Sequence, residues 1–444
     1  MKRSFFAILF GLTMLFGIGG VANAAPATRP NIVFVVSDDQ GWRDIGYHDS
    51  DVLTPHLDKL ATDGIKLHRH YVYPTCSPTR AALISGRNPS RFGINVPIAG
   101  TSKLALPTDI ATLPEALRRL GYHTAISGKW HLGLRPQVGP RRYGFISSYG
   151  YLHGQIDPYT HLYKTGDRTW HRNEQFIEEE GHATDLITDE AVRVIESAGD
   201  KPFFLYVPYS VPHTPLSEPD RWTSMYIDRI KEPSRRWFAA SITHMDEGIG
   251  RIVAALERTG KRDNTLIVFI SDNGGQKSWH RIAYYKGRYA DKPHNVLANN
   301  LPLRGWKGQL YEGGVRVPAL VNWPSKLKPG KLDAPVWILD WFPTLVSVAG
   351  GLVESKDRLE GENIWPLLTG QRQPQPRTFY WNTGGLFAVR HGDWKIIQTR
   401  KQPKKAELYN LADDPYETRN LAGMYPNQLA HLRGILGKQR QLDP

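Results

Sequence analysis

The chain has 444 residues, of which 40% are hydrophobic, and it carries a formal net charge of +13. That length and apolar content are enough to bury a large core. The single cysteine, Cys76, excludes an internal disulfide, so either its chemistry or its burial must account for it.

The first residues have the pattern of a secretory signal peptide. Lys2 and Arg3 form a basic start, an apolar stretch follows from Phe5 to Ile18, and Ala22-Asn23-Ala24 is a cleavage motif of small residues. We expect residues 1–24 to be removed and the mature protein to be periplasmic or secreted, with a retained N-terminal anchor as the alternative. No later run approaches about 18 apolar residues, so we expect no stable membrane insertion.

The net positive charge indicates which kinds of partner the protein could bind. An excess of Lys and Arg favours nucleic acid, anionic lipid or acidic polymers. Export argues against nucleic acid, and the sequence has no Lys/Arg block and no zinc-finger or RNA-binding motif. We therefore predict no nucleic-acid partner and favour a sulfated or carboxylated polysaccharide.

Residues 25–370 alternate between helical patterns and short apolar runs. Continuous apolar, β-branched runs are typical of buried parallel strands. The predicted strands are Asn31 to Ser37, Tyr122 to Ser127, Pro202 to Val207, Thr265 to Ser271 and Arg316 to Asn322. The predicted helices are His56 to Asp63, Thr112 to Leu120, Thr184 to Ser197, Arg236 to Arg258 and Ile338 to Ala349. This order predicts an α/β domain with a large, mostly parallel (mixed) sheet flanked by helices.

The pattern changes in residues 371–444. A polar, Pro-containing connector comes first, and three short strands follow in tight succession, at Thr378 to Asn382, Phe387 to Arg390 and Trp394 to Gln398. A terminal helix is predicted from Pro426 to Gln441. We expect a smaller C-terminal subdomain made of an antiparallel sheet and one helix.

Cys76 opens the run Cys76-Ser77-Pro78-Thr79-Arg80 at a predicted helix start. Pro78 suits the first turn of a helix, and Ser85-Gly86 ends the segment. The helix dipole at residue 76 favours an anion, and Arg80 lies about one turn further on. The position suits a nucleophile that attacks a negatively charged group. A buried structural cysteine is the alternative.

Acidic pairs follow two of the predicted strands. Asp38 and Asp39 follow the first strand, and Asp272 and Asn273 follow the strand at 265–271. Ligands of α/β sheets bind outside the carboxyl ends of the strands, where these pairs should meet. Three carboxylates and an amide oxygen suit Ca²⁺ or Mg²⁺, and the scarcity of His and Cys argues against zinc.

Cationic side chains are predicted on loops at the same edge. They are Lys129 and His131 in Gly128-Lys129-Trp130-His131-Leu132-Gly133, His213 in Pro212-His213-Thr214-Pro215, and Lys307 before Glu312-Gly313-Gly314. Each alone is more often a surface lysine or a core histidine. Together with Arg80 and a divalent ion around one nucleophile, they predict a site for a tetrahedral oxyanion ester.

These motifs resemble those of the formylglycine-dependent type I sulfatases, of the alkaline phosphatase superfamily. The resemblance runs from about Pro30 to the C-terminus. It is carried by DDQGWRD at 38–44, CSPTR at 76–80, GKWHLG at 128–133, PHTP at 212–215, DNGG at 272–275, KGQLYEGGVRVP at 307–318 and ELYNLADDP at 407–415. Within the family, the sequence at 142–152 and 300–316 looks most similar to that of arylsulfatase B-type enzymes, which are N-acetylgalactosamine-4-sulfatases.

The resemblance implies roles for the site residues. Cys76 would be converted to formylglycine by a maturation enzyme, and one oxygen of the hydrated aldehyde would attack sulfur. Asp38, Asp39, Asp272 and Asn273, with an oxygen of residue 76, would hold one Ca²⁺. Arg80 and Lys129 would bind the nucleophile, His213 and Lys307 would act near the leaving oxygen, and His131 would be the base that releases sulfate.

The implied function is hydrolysis of O-sulfate esters on a sulfated polysaccharide or oligosaccharide, with 4-O-sulfated galactose or N-acetylgalactosamine favoured. A phosphate or phosphonate ester hydrolase of the same superfamily is one alternative. A non-catalytic binder of sulfated glycans, with Cys76 unmodified, is another. The basic, aromatic segment from Gln276 to Leu301 is interpreted either as a wall of the substrate pocket, through His280, Lys292 or His294, or as an ordinary surface insertion.

Overall fold

The computed structural model describes residues 29–279 and 294–444, so the predicted signal peptide lies outside the described residues. Many of its strands are short. In chain order they are β1 (Asn31–Ser37), β2 (Ile65–Leu67), β3 (His70–Tyr71), β4 (His123–Lys129), β5 (Ser147–Tyr151), β6 (Trp170–Arg172), β7 (Gln175–Phe176), β8 (Phe203–Pro208), β9 (Thr265–Ser271), β10 (Arg316–Val317), β11 (Ala319–Asn322), β12 (Gly330–Leu332), β13 (Val336–Trp337), β14 (Thr378–Asn382), β15 (Leu386–His391), β16 (Trp394–Thr399) and β17 (Ala406–Asn410).

The helices alternate with these strands through most of the chain. They are α1 (Pro55–Thr62), α2 (Cys76–Ser85), α3 (Leu113–Arg119), α4 (Ala183–Ser197), α5 (Asp220–Thr223), α6 (Pro233–Arg258), α7 (Glu312–Val315), α8 (Trp341–Val348), α9 (Trp365–Leu368) and α10 (Pro426–Arg440). Among residues 29–279 and 294–444, no helix combines the length and the apolar character needed to cross a membrane.

The main sheet has ten strands in the order β12-β2-β11-β9-β1-β8-β4-β5-β6-β7. Its centre, β9-β1-β8-β4-β5, is parallel, and β11 and β6 run antiparallel beside it. The register places Val35 between Val207 and Phe269. Helices cover both faces, so the predicted α/β class with a mixed sheet is confirmed.

Alternate residues of β1 enter two hydrophobic cores. Phe34 and Val36 pack in the core that includes Trp341 of α8. Val33 and Val35 pack in the core that includes Ile249 of α6 on the opposite face. Because β1 is buried on both faces, its sequence is a continuous apolar run rather than an alternating one.

The carboxyl ends of β1, β8 and β9 lie at one edge of the sheet. Ser37 at the end of β1 pairs with Ser271 at the end of β9, and Val36 pairs with Pro208 at the end of β8. β4 runs parallel to β8 and ends at Lys129. Lys129 was predicted in the loop after a strand. In the structure it is the last residue of β4.

The predicted strand from Arg316 to Asn322 is wrong as a single element. Pro318 interrupts it, because proline has no N–H for a sheet hydrogen bond. β10 before the proline joins a separate three-stranded sheet with β3 and β13, and β11 after it joins the main sheet.

The C-terminal sheet is antiparallel in the order β14-β15-β16-β17, so it has four strands where the sequence predicted three. α10 covers one face through Leu432 and Leu436, which pack with Phe387. Trp381 faces the other way into the main core, and its indole N–H donates to the carbonyl of Val72 at 2.8 Å. The prediction of a smaller antiparallel sheet packed with one helix is therefore confirmed, apart from the number of strands.

Candidate active site

Cys76 is the first residue of α2 and is 2% exposed. Gly86 ends this helix in a left-handed conformation, with φ 64°, as the Ser85-Gly86 signal predicts. The Cys76 Sγ lies 3.2 Å from His131 Nδ1. Burial raises the pKa of the thiol, so an unmodified Cys76 is held as the neutral thiol rather than as a reactive thiolate.

His131 is fixed by contacts on three sides. Its Nε2 donates to the carbonyl of Ile98 at 3.0 Å, and its own carbonyl accepts from Ser77 Oγ at 3.0 Å. Because a carbonyl only accepts, the proton of the neutral ring is on Nε2 and the lone pair of Nδ1 faces residue 76. Burial, together with the charge of Lys129, holds the pKa of His131 well below its usual value. The ring is therefore neutral and is oriented as a base.

Three carboxylates and one amide lie together at the ends of β1 and β9. Asp39 Oδ1 accepts from Asn273 Nδ2 at 2.8 Å, and the Asp39 N–H donates to Asp272 Oδ1 at 3.3 Å. Asp38, Asp272 and Asn273 are 0% exposed. Asp39 has a left-handed backbone, with φ 70°, a strained conformation that turns the loop toward β9.

Arg80 and Lys129 bind to carboxylates of this set. Arg80 donates to Asp272 Oδ2 through Nε at 3.1 Å and Nη2 at 2.7 Å, and its Nη1 donates to the carbonyl of Lys129 at 3.1 Å. Lys129 Nζ donates to Asp38 Oδ2 at 2.5 Å. Both cations are buried at the carboxylates next to Cys76, and the charge of Lys129 favours the ionised form of residue 76.

Lys307 and His213 approach Asp39 from the more open side. Lys307 Nζ lies 2.7 Å from both oxygens of Asp39, and His213 Nε2 lies 3.7 Å from Oδ2. His213 Nδ1 donates to the carbonyl of Thr214 at 2.6 Å, so Nε2 is the nitrogen that faces the site. Burial and the charge of Lys307 lower the pKa of His213 to about 3. Burial acts against the charge of Asp39, but Lys307 and His213 outweigh it and lower the pKa of Asp39 to about 2.

The donor set fits a hard divalent cation. Among the described residues, Asp38 Oδ1 and Asn273 Oδ1 are buried without a hydrogen-bond partner, and ligand atoms of Asp38, Asp39 and His213 lie within 4.8 Å of one another. Burial and the charge of Asp272 raise the pKa of Asp38 to about 7. A bound cation would accept the unsatisfied oxygens as ligands. Its positive charge would also stabilise the ionised form of Asp38.

The structure thus brings together all the sequence-predicted site residues, namely Asp38, Asp39, Cys76, Arg80, Lys129, His131, His213, Asp272, Asn273 and Lys307. The carbonyl of Ile98, which sets the tautomer of His131, was not predicted from the sequence. A backbone carbonyl leaves no signal in residue type. Ser77, which contacts the backbone of both Ile98 and His131, was visible in the CSPTR motif.

The segment from Gln276 to Leu301 is described only in part. His280 and Lys292 lie outside the described residues. His294 is 0% exposed and stacks on Trp279, with Trp237 against its edge. His294 is therefore enclosed by aromatic side chains, and the interpretation of the segment as a pocket wall stays a prediction.

A buried group at a helix start, flanked by a neutral base, three carboxylates and the cations Arg80, Lys129 and Lys307, is the site of a hydrolase for anionic tetrahedral esters. Comparison with known proteins agrees. A family model described as sulfatase matches residues 30–351, and one described as N-sulphoglucosamine sulphohydrolase, C-terminal, matches residues 305–439. The chain belongs to the sulfatase family and is a sulfuric ester hydrolase.

Individual relatives cover most of the chain. Arylsulfatase J of Mus musculus is 32% identical over 91% of this chain and 75% of its own length. N-acetylgalactosamine-6-sulfatase of Mus musculus is 32% identical over 86% of this chain and 74% of its own length. The crystal structure of Ps i-CgsB aligns with a TM-score of 0.84 at 32% identity, covering 94% of both chains. The resemblance to type I sulfatases is confirmed, and the finer similarity to 4-sulfatases stays a prediction.

Proposed function

We propose that this enzyme removes O-sulfate from galactose or N-acetylgalactosamine units of a sulfated polysaccharide or oligosaccharide, with the 4-O position preferred. The observation that carries the proposal is the position of residue 76, buried beside a neutral His131 and next to three carboxylates and Lys307. That arrangement suits an anionic ester held by cations while a neighbouring base handles a proton.

The proposal includes a modified Cys76 and one bound Ca²⁺. A formylglycine at position 76 would supply a hydrated aldehyde as the oxygen nucleophile that a buried neutral thiol does not provide. Asp38, Asp39, Asp272 and Asn273 would hold Ca²⁺, which would supply positive charge for the sulfate oxygens. The orphaned oxygens of Asp38 and Asn273 support this assignment.

The chain's own residues then have distinct tasks. His131 Nδ1, 3.2 Å from the side chain of residue 76, accepts a proton there, and Ile98 keeps its tautomer fixed. Arg80 and Lys129 neutralise Asp272 and Asp38 and add positive charge next to residue 76. Lys307 and His213 are less buried than Arg80 and Lys129, and they face the sulfate and leaving-group oxygens, where the charged Lys307 holds a proton for the departing alcohol.

The sugar is inferred from relatives and from the sequence resemblance. A 32% identical relative is named for N-acetylgalactosamine 6-sulfate, and Ps i-CgsB was also solved in complex with k-i-k-neocarrahexaose. The resemblance at 142–152 and 300–316 to N-acetylgalactosamine-4-sulfatases favours 4-O-sulfate. Hydrolysis of 6-O-sulfate is the second candidate, favoured by the name of the N-acetylgalactosamine-6-sulfatase relative.

The test is sulfate release from matched oligosaccharides that carry 4-O- or 6-O-sulfate on galactose or N-acetylgalactosamine, with a phosphate monoester as a further substrate. We expect sulfate release from the 4-O-sulfated series and none from the Cys76→Ala variant. Faster phosphate release would favour the phosphate-hydrolase alternative. Binding of the glycans without turnover, with an unmodified thiol in the mass spectrum of the peptide holding residue 76, would favour the non-catalytic binder.

We also infer that residues 1–24 direct export, with the catalytic domain at 25–370 and the C-terminal subdomain at 371–444. The basic start and the Ala22-Asn23-Ala24 motif support the first inference. N-terminal sequencing of the protein recovered from its native host should begin near Ala25. Cytoplasmic recovery with an intact Met1 would contradict it.

A further inference from the structure

One buried amide, that of Asn300, connects three loops of the active site. Its Oδ1 accepts from the N–H groups of Gly275 at 2.9 Å and Trp42 at 3.3 Å. Its Nδ2 donates to the carbonyls of Gly275 at 3.1 Å and Gly305 at 3.0 Å. Asn300 is 1% exposed, so these four hydrogen bonds satisfy its amide in a dry environment.

Each of the three loops carries groups that act in the site. Trp42 lies in the loop after β1 that begins with Asp38 and Asp39, and Gly275 follows Asp272 and Asn273 after β9. Gly305 precedes Lys307, whose own N–H donates to the carbonyl of Gly275 at 3.1 Å. One side chain thus sets the distance between the two acidic pairs and the loop of Lys307.

The surroundings of Asn300 leave little room for another arrangement. A Cβ at Gly41 would lie 2.7 Å from Asn300 Oδ1, and a Cβ at Gly275 would lie 3.0 Å from the same atom. Both glycines therefore allow the loops to close on the amide. Asp44 supports the same loop, since its Oδ2 accepts from the N–H groups of Gly41 and Asn299, each at 2.9 Å.

We propose that Asn300 is a positioning residue for the reaction, holding Asp39, Asp272 and Lys307 in register through three backbone loops. The inference rests on the proposed function. All four hydrogen bonds of the amide go to backbone groups, so Asn300 acts through the residues it places and not on the substrate. Displacement of reacting groups by about 1 Å costs on the order of 100-fold in rate, which sets the expected effect.

The test compares Asn300→Ala and Asn300→Asp with a matched control, Asn322→Ala. Asn322 is also buried, and its Nδ2 donates to the carbonyl of Leu60 at 3.0 Å. It pairs with Ile267 near the start of β9, at the far end of that strand from Asp272. Asn300→Asp keeps the shape of the side chain and the oxygen that accepts two hydrogen bonds, but it lacks the two N–H donors. It therefore tests the same role if Asn300→Ala fails to fold.

The readouts are kcat, KM and Tm on the sulfated oligosaccharide that the wild-type protein cleaves. We expect both Asn300 variants to lose kcat by roughly 100-fold with KM changed only a few-fold, because the Asn300 amide bonds to backbone groups and acts through the residues it places. The control should lose Tm but keep kcat within a few-fold while it is folded. A kcat loss in the Asn300 variants no larger than in the control overturns the inference.

The two proposals fail in different ways. Wild-type protein that releases sulfate while the Asn300 variants behave like Asn322→Ala removes the positioning role and leaves the function intact. Wild-type protein that is matured at residue 76 and releases sulfate from none of the oligosaccharides overturns the proposed function, and the positioning role falls with it.

Discussion

His131 Nδ1 lies 3.2 Å from Cys76 Sγ, and the opposite ring nitrogen of His131 donates to the carbonyl of Ile98 at 3.0 Å. The carbonyl fixes which nitrogen carries the proton, so a lone pair is directed at the side chain of residue 76. His131 also has a left-handed backbone, with φ 57°, and the strain of that conformation is held by the bond from Ser77 to its carbonyl. The ring is thus oriented before any substrate arrives.

We predict that His131→Gln lowers kcat by roughly 10² to 10⁴-fold, the range expected for loss of a positioned general base. The measurement is steady-state sulfate release from the preferred oligosaccharide. The control is His171→Gln, because His171 is a buried neutral histidine of β6 whose Nδ1 accepts from the Glu174 N–H at 3.2 Å. Retention of most activity by His131→Gln, or equal losses in both variants, would contradict the role of His131.

We predict that Ca²⁺ stabilises the folded protein through the carboxylates at the ends of β1 and β9. A ligand that binds only the native state, present at 100 times its Kd, adds about 2.7 kcal/mol to the free energy of unfolding. Calorimetry should show a higher Tm with Ca²⁺ than with a chelator. Asp38→Asn and Asp272→Asn should abolish this difference, and Asp333→Asn, at an exposed ion pair with His68, should leave it unchanged.

An unchanged Tm of the wild-type protein at saturating Ca²⁺ would argue against the metal site. The same Ca²⁺-dependent difference in Tm in all three variants would show that the ion binds elsewhere on the protein. Because Tm is read without substrate, neither result requires the enzyme to turn over.

We predict that the protein loses stability at alkaline pH through His244. This ring donates to Glu218 at 2.7 Å and lies 3.1 Å from Asp185. Burial lowers the pKa of His244, but the two carboxylates outweigh it and raise the pKa to about 9. Since the folded-state pKa exceeds the unfolded value of about 6.5, the stabilisation is complete below pH 6.5 and is lost as the pH rises through 9.

The loss should be at most about 3 kcal/mol, from a shift of about two and a half pKa units. Chemical denaturation of the wild-type protein between pH 6 and 10 should show this decline, and His244→Gln should flatten it. His431→Gln, at an exposed position of α10, is the control that should keep the wild-type slope. Parallel pH profiles for wild type and His244→Gln would refute the prediction.

We predict that Lys395→Met is strongly destabilising. Lys395 Nζ lies 2.9 Å from Glu312 Oε1 and 2.8 Å from Glu417 Oε1, and the side chains of all three residues are no more than 1% exposed. Removing the cation leaves buried Glu417 without its ion-pair partner and leaves Glu312 with only the more distant Arg316, at 3.9 Å, which costs about 3–5 kcal/mol. Denaturant unfolding should show a loss of this size, while the exposed control Lys401→Met should stay close to wild type. Near-equal stability of the two variants would contradict it.

Much of the fold could be predicted because its central strands are buried on both faces. The apolar runs of β1 and β9 are continuous, and their predicted bounds match the structure to the residue. β2, β3, β6 and β7 are short, so periodicity leaves no pattern to detect. Pro318 was a visible warning that one predicted strand is two, since proline breaks the hydrogen-bond ladder.

The candidate site was predictable where residue type carries the chemistry. The acidic pairs, the CSPTR motif and the cationic loop residues were identified, and all of them meet at one edge of the sheet. The partners of Arg80 and Lys129 were not foreseen, because pairing with Asp272 and Asp38 depends on distances across the sheet. The same holds for Asn300, whose four partners are all backbone groups.

The burial of Cys76 at the start of α2 also limits when, during synthesis and folding, its thiol can be reached by another enzyme. His131, which contacts it at 3.2 Å, and the later strands of the sheet are synthesised after it, so residue 76 is open to another enzyme only while those segments are unfolded. Any chemistry on this thiol has to compete with folding of the chain. If the nucleophile is made from Cys76 as proposed, conditions that hasten folding should yield a stable protein that lacks it.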